Sequence, residues 1–311
     1  MKTNSLNLTT QNIPTLVKQL TIPASTGMFF NTMYNVVDTF YAGLISTQAI
    51  SALTLSFMIF FLIIGFGYGF SSAITALLGN ALGKRKYKLA SIYAHKGLIF
   101  VPIIGLILSI LGYYFSPSLF ILLGAKEEYL QISIDYINPI LFGTLFFMFN
   151  FSLNSILVAT GDTKTYRNSL IFGFFANLAL NPLFMYGFLF IPAMGIKGIA
   201  IATVLIQIIN MCYLFYKVLQ TKLIHFEKPE YFLPNIRVYK QFLIQGIPSS
   251  LNMLTMAIGS LILTYFVSHY GVNAVAGFGI GYRVEQLMLL PALGLSTAVL
   301  ALVSNNYGAK K

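Results

Sequence analysis

Tryptophan is missing altogether, cysteine occurs once, histidine three times, and Asp and Glu together number only eight in 311 residues. The lone Cys212 excludes an internal disulfide and any cysteine cluster for metal, and reads as a small apolar residue in a helix. His95, His225 and His269 stand singly at or near the ends of apolar runs, without the spacing that gathers ligands around zinc. No nucleophile is paired with a base and no phosphate loop is found, so the chain is not read as an enzyme, and no cofactor is expected. Gly65, Gly67 and Gly69 have a dinucleotide-loop spacing on paper only. No strand precedes them and apolar residues surround them, so close helix packing is their expected role.

Charge is scarce as well. Only 9% of residues are charged, against roughly a quarter in soluble domains, while 57% are hydrophobic and the mean hydropathy is +0.78. Apolar runs of about 20 residues, the length that crosses a bilayer, recur along the whole chain. They are continuous rather than alternating, which argues against a β-barrel. The fold class expected is therefore an all-α membrane protein, a polytopic helical bundle of eight spans: 15–44, 49–78, 92–115, 131–159, 168–191, 195–218, 239–268 and 273–303. The segment 116–129 is partly apolar and is expected along the outer interface. The N-terminus up to Val17 is polar and carries no cleavable signal pattern, so the first span is expected to direct insertion.

The net charge of +11 and the run Lys84-Arg85-Lys86-Tyr87-Lys88 would suggest nucleic acid in a soluble protein. In a membrane protein the positive-inside rule explains them, and no nucleic-acid partner is expected. Loops after spans two, four and six hold Lys84, Arg85, Lys86 and Lys88, then Lys164 and Arg167, then Lys217, Lys222, Lys228, Arg237 and Lys240. The opposite connections hold only Lys126, beside Glu127 and Glu128, and Lys197. Both termini of this chain are accordingly expected in the cytoplasm, with the protein in the plasma membrane of a bacterium.

A repeat runs through the sequence. Pro23 matches Pro248, 225 positions on, and the same offset carries Gln48-Ala49-Ile50-Ser51-Ala52 onto Asn273-Ala274-Val275-Ala276-Gly277. Without a gap it then lays Gly69-Phe70-Ser71-Ser72-Ala73 on Gly294-Leu295-Ser296-Thr297-Ala298, and Asn80, Gly83 and Lys86 on Asn305, Gly308 and Lys311. Six helices fill one period, and an even number per repeat relates two lobes by an axis along the membrane normal. Residues 1–220 form the first six-helix lobe, 221–240 a cytoplasmic linker, and 241–311 the first two helices of a second lobe. A complete second copy would bring the chain to roughly 450 residues, so a C-terminally truncated fragment is expected.

One carboxylate sits deep in an apolar run. Asp38 lies on a helical stripe with Asn31, Tyr34 and Asn35, at i, i+3, i+4 and i+7, read as a polar seam aimed inward. A charge at membrane depth costs about 2.5–3.5 kcal/mol and normally faces a cavity or a partner. Spans one to six are read as offering no intramembrane Lys or Arg to neutralise it. Asn177 and Asn181 share a face beside Pro182, Thr203, Gln207 and Asn210 form a stripe in span six, and Asn150 and Asn154 do so in span four. Polar stripes on four spans converge only on a shared interior. Pro23, Pro139 and Pro182 are candidate bending points. Phe29, Phe30, Phe147 and Phe149, with Tyr34, are candidates for holding a flat lipophilic cation. Arg283 and Glu285, two apart in span eight, point in different directions and either line the second lobe's cavity or serve a lobe contact.

Four motifs resemble the multidrug and toxic compound extrusion (MATE) family. They are Asn35-Val36-Val37-Asp38-Thr39-Phe40-Tyr41-Ala42-Gly43; Gly79-Asn80-Ala81-Leu82-Gly83-Lys84; Asn177-Leu178-Ala179-Leu180-Asn181-Pro182 with Met194-Gly195-Ile196-Lys197-Gly198; and Tyr282-Arg283-Val284-Glu285-Gln286. The resemblance implies a secondary antiporter of two six-helix lobes that exports amphipathic or cationic drugs in exchange for Na⁺ or H⁺. It places the coupling site on Asp38, with Asn177, Asn181 and Thr203 as partners and Na⁺ possible at Asp38. Tyr34, Asn35, Asn31, Asn154 and Gln207, with Arg283 and Glu285, are the candidate cavity residues. The sequence departs from the family at Asn181, where many similar members carry a second acid, leaving one formal charge, and hard cations prefer carboxylate oxygens. Drugs and membrane lipid are the partners implied, and a monomer is expected at full length. A flippase for a lipid-linked oligosaccharide or another lipid, in the same superfamily, is one alternative; a truncated, non-transporting membrane protein is another.

Overall fold

The computed structural model describes residues 7–189, 191–227 and 229–311, so that residues 1–6, Phe190 and Lys228 lie outside the described residues. Eight long helices carry most of them: α1 (Ile13–Ile45), α2 (Thr47–Gly83), α3 (Tyr87–Leu122), α4 (Glu127–Ala159), α5 (Lys164–Tyr186), α6 (Gly195–Gln220), α7 (Ile236–Ser268) and α8 (Val272–Gly308). All but α1 are long and apolar enough to cross a membrane. The exception has a local cause, because the polar residues Asn31, Thr32, Asn35, Asp38 and Thr39 dilute the second half of α1.

Helix ends follow the local chemistry. Ser46 separates α1 from α2 in extended conformation, and its hydroxyl accepts from the Ala49 N–H, one of the orphan donors of a first turn. Asn235 caps α7 through the N–H groups of Arg237 and Val238. Two sequence boundaries are corrected. Residues 116–122 continue α3 instead of forming a separate interfacial piece; Pro117 is tolerated inside the helix at the loss of one backbone bond. The fifth helix ends at Tyr186 rather than 191, since Gly187 has φ +79° and opens a tight turn closed by the Phe188–Ile191 bridge. A Cβ there would crowd the Ile191 carbonyl and the Ala193 amide.

Among the first six helices, α4 is central and packs against α2, α3 and α6, while α5 joins α1 and α6. The linker is tied onto α3. The Ser91 hydroxyl donates to the Leu223 carbonyl at 2.5 Å, and Lys96 donates to the carbonyls of Leu233 and Glu230. His95 Nδ1 lies 2.7 Å from the Ser91 carbonyl, which fixes its proton there, so Nε2 accepts from the His225 N–H at 3.0 Å. Lys96 also corrects the expectation of spans one to six free of basic side chains. It is buried in α3, but its ammonium serves linker carbonyls rather than an acid.

The last two helices pack on the first two more than on each other, α7 against α2 and α8 against α1 and α2. These contacts are reciprocal under the 225-residue offset. Gly69 of α2 abuts Ser250 of α7, and their repeat mates Gly294 of α8 and Ser25 of α1 meet in the same way. At the ends of α2 and α8, Gly83 lies against the Asn305 carbonyl while Gly308 lies against that of Asn80. Thr54 and Gly279, themselves repeat mates, touch one another. A pseudo-twofold axis therefore runs between α2 and α8, and the glycines sit where backbones cross too closely for a Cβ.

Replacing Gly83 or Gly308 with Val is expected to lower stability by about 1–3 kcal/mol, the usual cost of overpacking. The two variants should lower the melting temperature of the detergent-solubilised protein alike, because the contacts are symmetry mates.

Candidate functional site

Asp38 lies in the last third of α1 and is 3% exposed, enclosed by α5 and α6. Its Oδ1 accepts from the side-chain amides of Asn177 and Asn181, each at 2.8 Å. Those two residues are one helical turn apart on α5 and fully buried. The two amides also bond one another, Asn181 Nδ2 to Asn177 Oδ1 at 3.2 Å and Asn177 Nδ2 to Asn181 Oδ1 at 3.4 Å. The Thr203 hydroxyl of α6 approaches Oδ2 at 3.4 Å. One carboxylate oxygen is thus held by two short charge-assisted bonds and the other by a single long one. Among the described residues no three His, Cys, Asp or Glu gather as a metal cluster.

The four coupling candidates, Asp38, Asn177, Asn181 and Thr203, are brought together by three helices. The wider stripe on α1 is split. Tyr34 is buried beside Thr203, Asn177 and Asp38, yet its hydroxyl has no hydrogen bond of normal geometry. Asn35 is only half-buried and donates to the Asn31 carbonyl, and Asn31 is exposed. The period explains the split. At 100° per residue, Asn31 and Asn35 fall on one flank of the stripe and Tyr34 and Asp38 on the other, and Val37, also buried, draws the packed face toward the second pair.

On α4 and α6, Asn150 donates to both the carbonyl and the side-chain oxygen of Gln207, at 3.0 and 2.8 Å. The side-chain oxygens of Asn150 and Asn154 are buried without a partner among the described residues. The aromatic candidates fare differently. Phe29 is exposed, Phe30 packs edge-on against Phe174, and Phe147 packs against Phe60. Phe30 and Phe147 are thus engaged by other aromatic rings.

Sequence reasoning found Arg283 but not its surroundings. The residue is 6% exposed, and its guanidinium sits 5.3 Å from the centre of the Phe57 ring on α2. It is within electrostatic reach of Asp38 on α1 and Tyr136 on α4. Glu285, by contrast, is exposed on another face of α8, as a separation of two residues requires. Tyr136 was missed because nothing in its local pattern distinguishes it from packing.

The MatE family model matches residues 23–183 and 248–311, two segments whose first residues are the repeat mates Pro23 and Pro248. This chain belongs to the MatE family. It is 29% identical over 275 residues to the probable multidrug resistance protein YoeA of Bacillus subtilis, covering 86% of this chain and 58% of that one. It is 26% identical over 291 residues to a protein of Shewanella oneidensis named as an FAD transporter, covering 93% and 64%. A solved outward-facing MATE multidrug transporter of the MOP superfamily superposes with a TM-score of 0.84 at 27% identity, over all of this chain and 69% of that one. The chain therefore spans about three fifths of the length of these curated relatives.

The unequal grip on the two oxygens of Asp38 predicts unequal costs. Asn177→Leu removes a short bond to a charged group and is expected to lower stability by about 1.5–3 kcal/mol, while Thr203→Val costs about 1 kcal/mol or less. Thermal unfolding of the two purified variants at one pH checks the order.

Proposed function

We propose that this chain is the ion-coupling part of an antiporter that exports amphipathic or cationic drugs in exchange for Na⁺ or H⁺. Residues 1–220 act as one lobe, 221–240 as the linker, and 241–311 open a second lobe. The observation that carries the reading is the buried Asp38 carboxylate with three donors from α5 and α6. Its second oxygen, Oδ2, has capacity for a proton or a cation, since Thr203 alone approaches it and at 3.4 Å. The ion or proton held there is cargo, and binding it changes which lobe arrangement is favoured only through a difference in affinity between arrangements. Drug and ion then alternate. A lipid or flavin-like cargo is the second reading, supported by a relative named as an FAD transporter.

The donors present favour the proton over Na⁺ as the coupling ion. Both asparagines offer N–H groups to Asp38 and direct their oxygens at each other, the opposite of what a hard cation needs. Restoring a second acid changes that balance.

In proteoliposomes holding the protein at its native length, Asp38→Asn is expected to abolish ion-driven ethidium efflux while the amount inserted stays the same. Undiminished efflux would sink the coupling role. Asn181→Asp is expected to make efflux depend on Na⁺, and an unchanged response to Na⁺ would count against the proposed ion site. For orientation, a cysteine placed at Lys86 in a Cys212→Ser background should react with an impermeant maleimide only after permeabilisation. One placed at Lys126 should react in intact cells.

A further inference from the structure

Arg283 combines three features that the coupling reading does not use. It is more than nine-tenths buried between helices, its Nη1 has no hydrogen-bond partner among the described residues, and it comes from α8, on the other side of the repeat axis from Asp38. A buried guanidinium normally has its donors met by carboxylate, phosphate or carbonyl oxygens, because leaving a charged donor unpaired costs more than the mean hydrogen bond gains. Asp38 does not fill that role here: its Oδ1 accepts from the two asparagine amides, its Oδ2 is approached by the Thr203 hydroxyl, and among the described residues Nη1 of Arg283 meets no acceptor.

The surroundings are aromatic and partly accessible. Phe57 stacks with Phe61 at 5.7 Å between ring centres, and Tyr282 lies 6.3 Å from Phe57 and stacks on Phe278 at 6.2 Å. All four rings are partly exposed. The guanidinium rests on the face of Phe57 and keeps its edge, where the N–H groups project, for an acceptor.

We infer that Arg283 is an anion subsite, taking the carboxylate, sulfonate or phosphate of a flat aromatic ligand whose ring lies among Phe57, Phe61, Tyr282 and Phe278. The substrate class thereby extends from organic cations to amphipathic aromatic anions. This rests on the transporter reading for why a ligand passes through, but not for the binding itself.

The test uses two probes with one ring system, naphthalene-2-sulfonate and naphthalene-2-sulfonamide, titrated calorimetrically into the protein at its native length in phosphatidylcholine nanodiscs. The sulfonate is expected to bind about tenfold tighter or more, the usual value of a charge-assisted bond. Arg283→Gln is expected to erase that preference. Equal affinities in the wild-type protein overturn the proposal without recourse to any variant, and a preference that survives in Arg283→Gln overturns the assignment to Arg283. Repeating the titration in phosphatidylglycerol nanodiscs separates the two sources of an anion. Unchanged sulfonate affinity is expected, whereas loss of sulfonate binding there assigns the site to a lipid headgroup and overturns the aromatic ligand. Ethidium efflux in Asp38→Asn tests the transporter reading separately, so either result can fail alone.

Discussion

A carboxylate inside an apolar bundle is tolerated only if something meets its charge, and the arrangement of α1, α5 and α6 follows from that requirement. Two amides one turn apart on α5 converge on one oxygen of Asp38. That convergence holds α5 against α1 at a fixed height, and the Thr203 hydroxyl fixes α6 beside them. In hydrocarbon there is no general hydrophobic drive between helices, so directed bonds of this kind set which faces meet. The balance of donors is tilted, heavy on Oδ1 and light on Oδ2.

The repeat was the most legible part of the fold. An offset of 225 residues, read from prolines, glycines, asparagines and other small or polar residues, becomes a set of reciprocal contacts: Gly69 with Ser250, Gly294 with Ser25, Gly83 with Asn305, Gly308 with Asn80. Those residue types are legible because close backbone crossings tolerate little else, so the constraint is written directly into side-chain size. Helix ends were less legible. The continuation of α3 through Pro117 and the stop at Gly187 both depend on backbone conformations that hydropathy does not encode. Likewise a stripe of Asn31, Tyr34, Asn35 and Asp38 fixes a side of α1 but not how far the neighbours wrap around it, and the wrap falls short of Asn31.

The site was legible in its acid and amides and illegible in its electrostatics. Asp38, Asn177, Asn181 and Thr203 advertise themselves as polar residues in apolar helices. The proximity of Arg283 to Asp38 does not, since 245 positions separate them and nothing local marks the crossing of α8 over α1 and α2. For the same reason the ring beneath the Arg283 guanidinium, Phe57, was not legible, though it and Tyr282 are repeat mates facing each other across the axis.

The two interior charges differ in how they are satisfied, and that difference bears on how a transporter of this design would work. Asp38 belongs to the first repeat and is clamped by neighbours from the same repeat, so its environment travels with it when helices move as a body. Arg283 belongs to α8 and is held mainly by a ring of α2, a contact across the axis. Any rotation of one repeat against the other, about the glycine crossings that bring α2 and α8 together, changes the distance between the charges while leaving the clamp on Asp38 intact. A carboxylate with a constant local shell and a variable distant charge is sensitive to the arrangement of the repeats without being rebuilt by it. That is the differential interaction a ligand needs if its binding is to bias one arrangement over another.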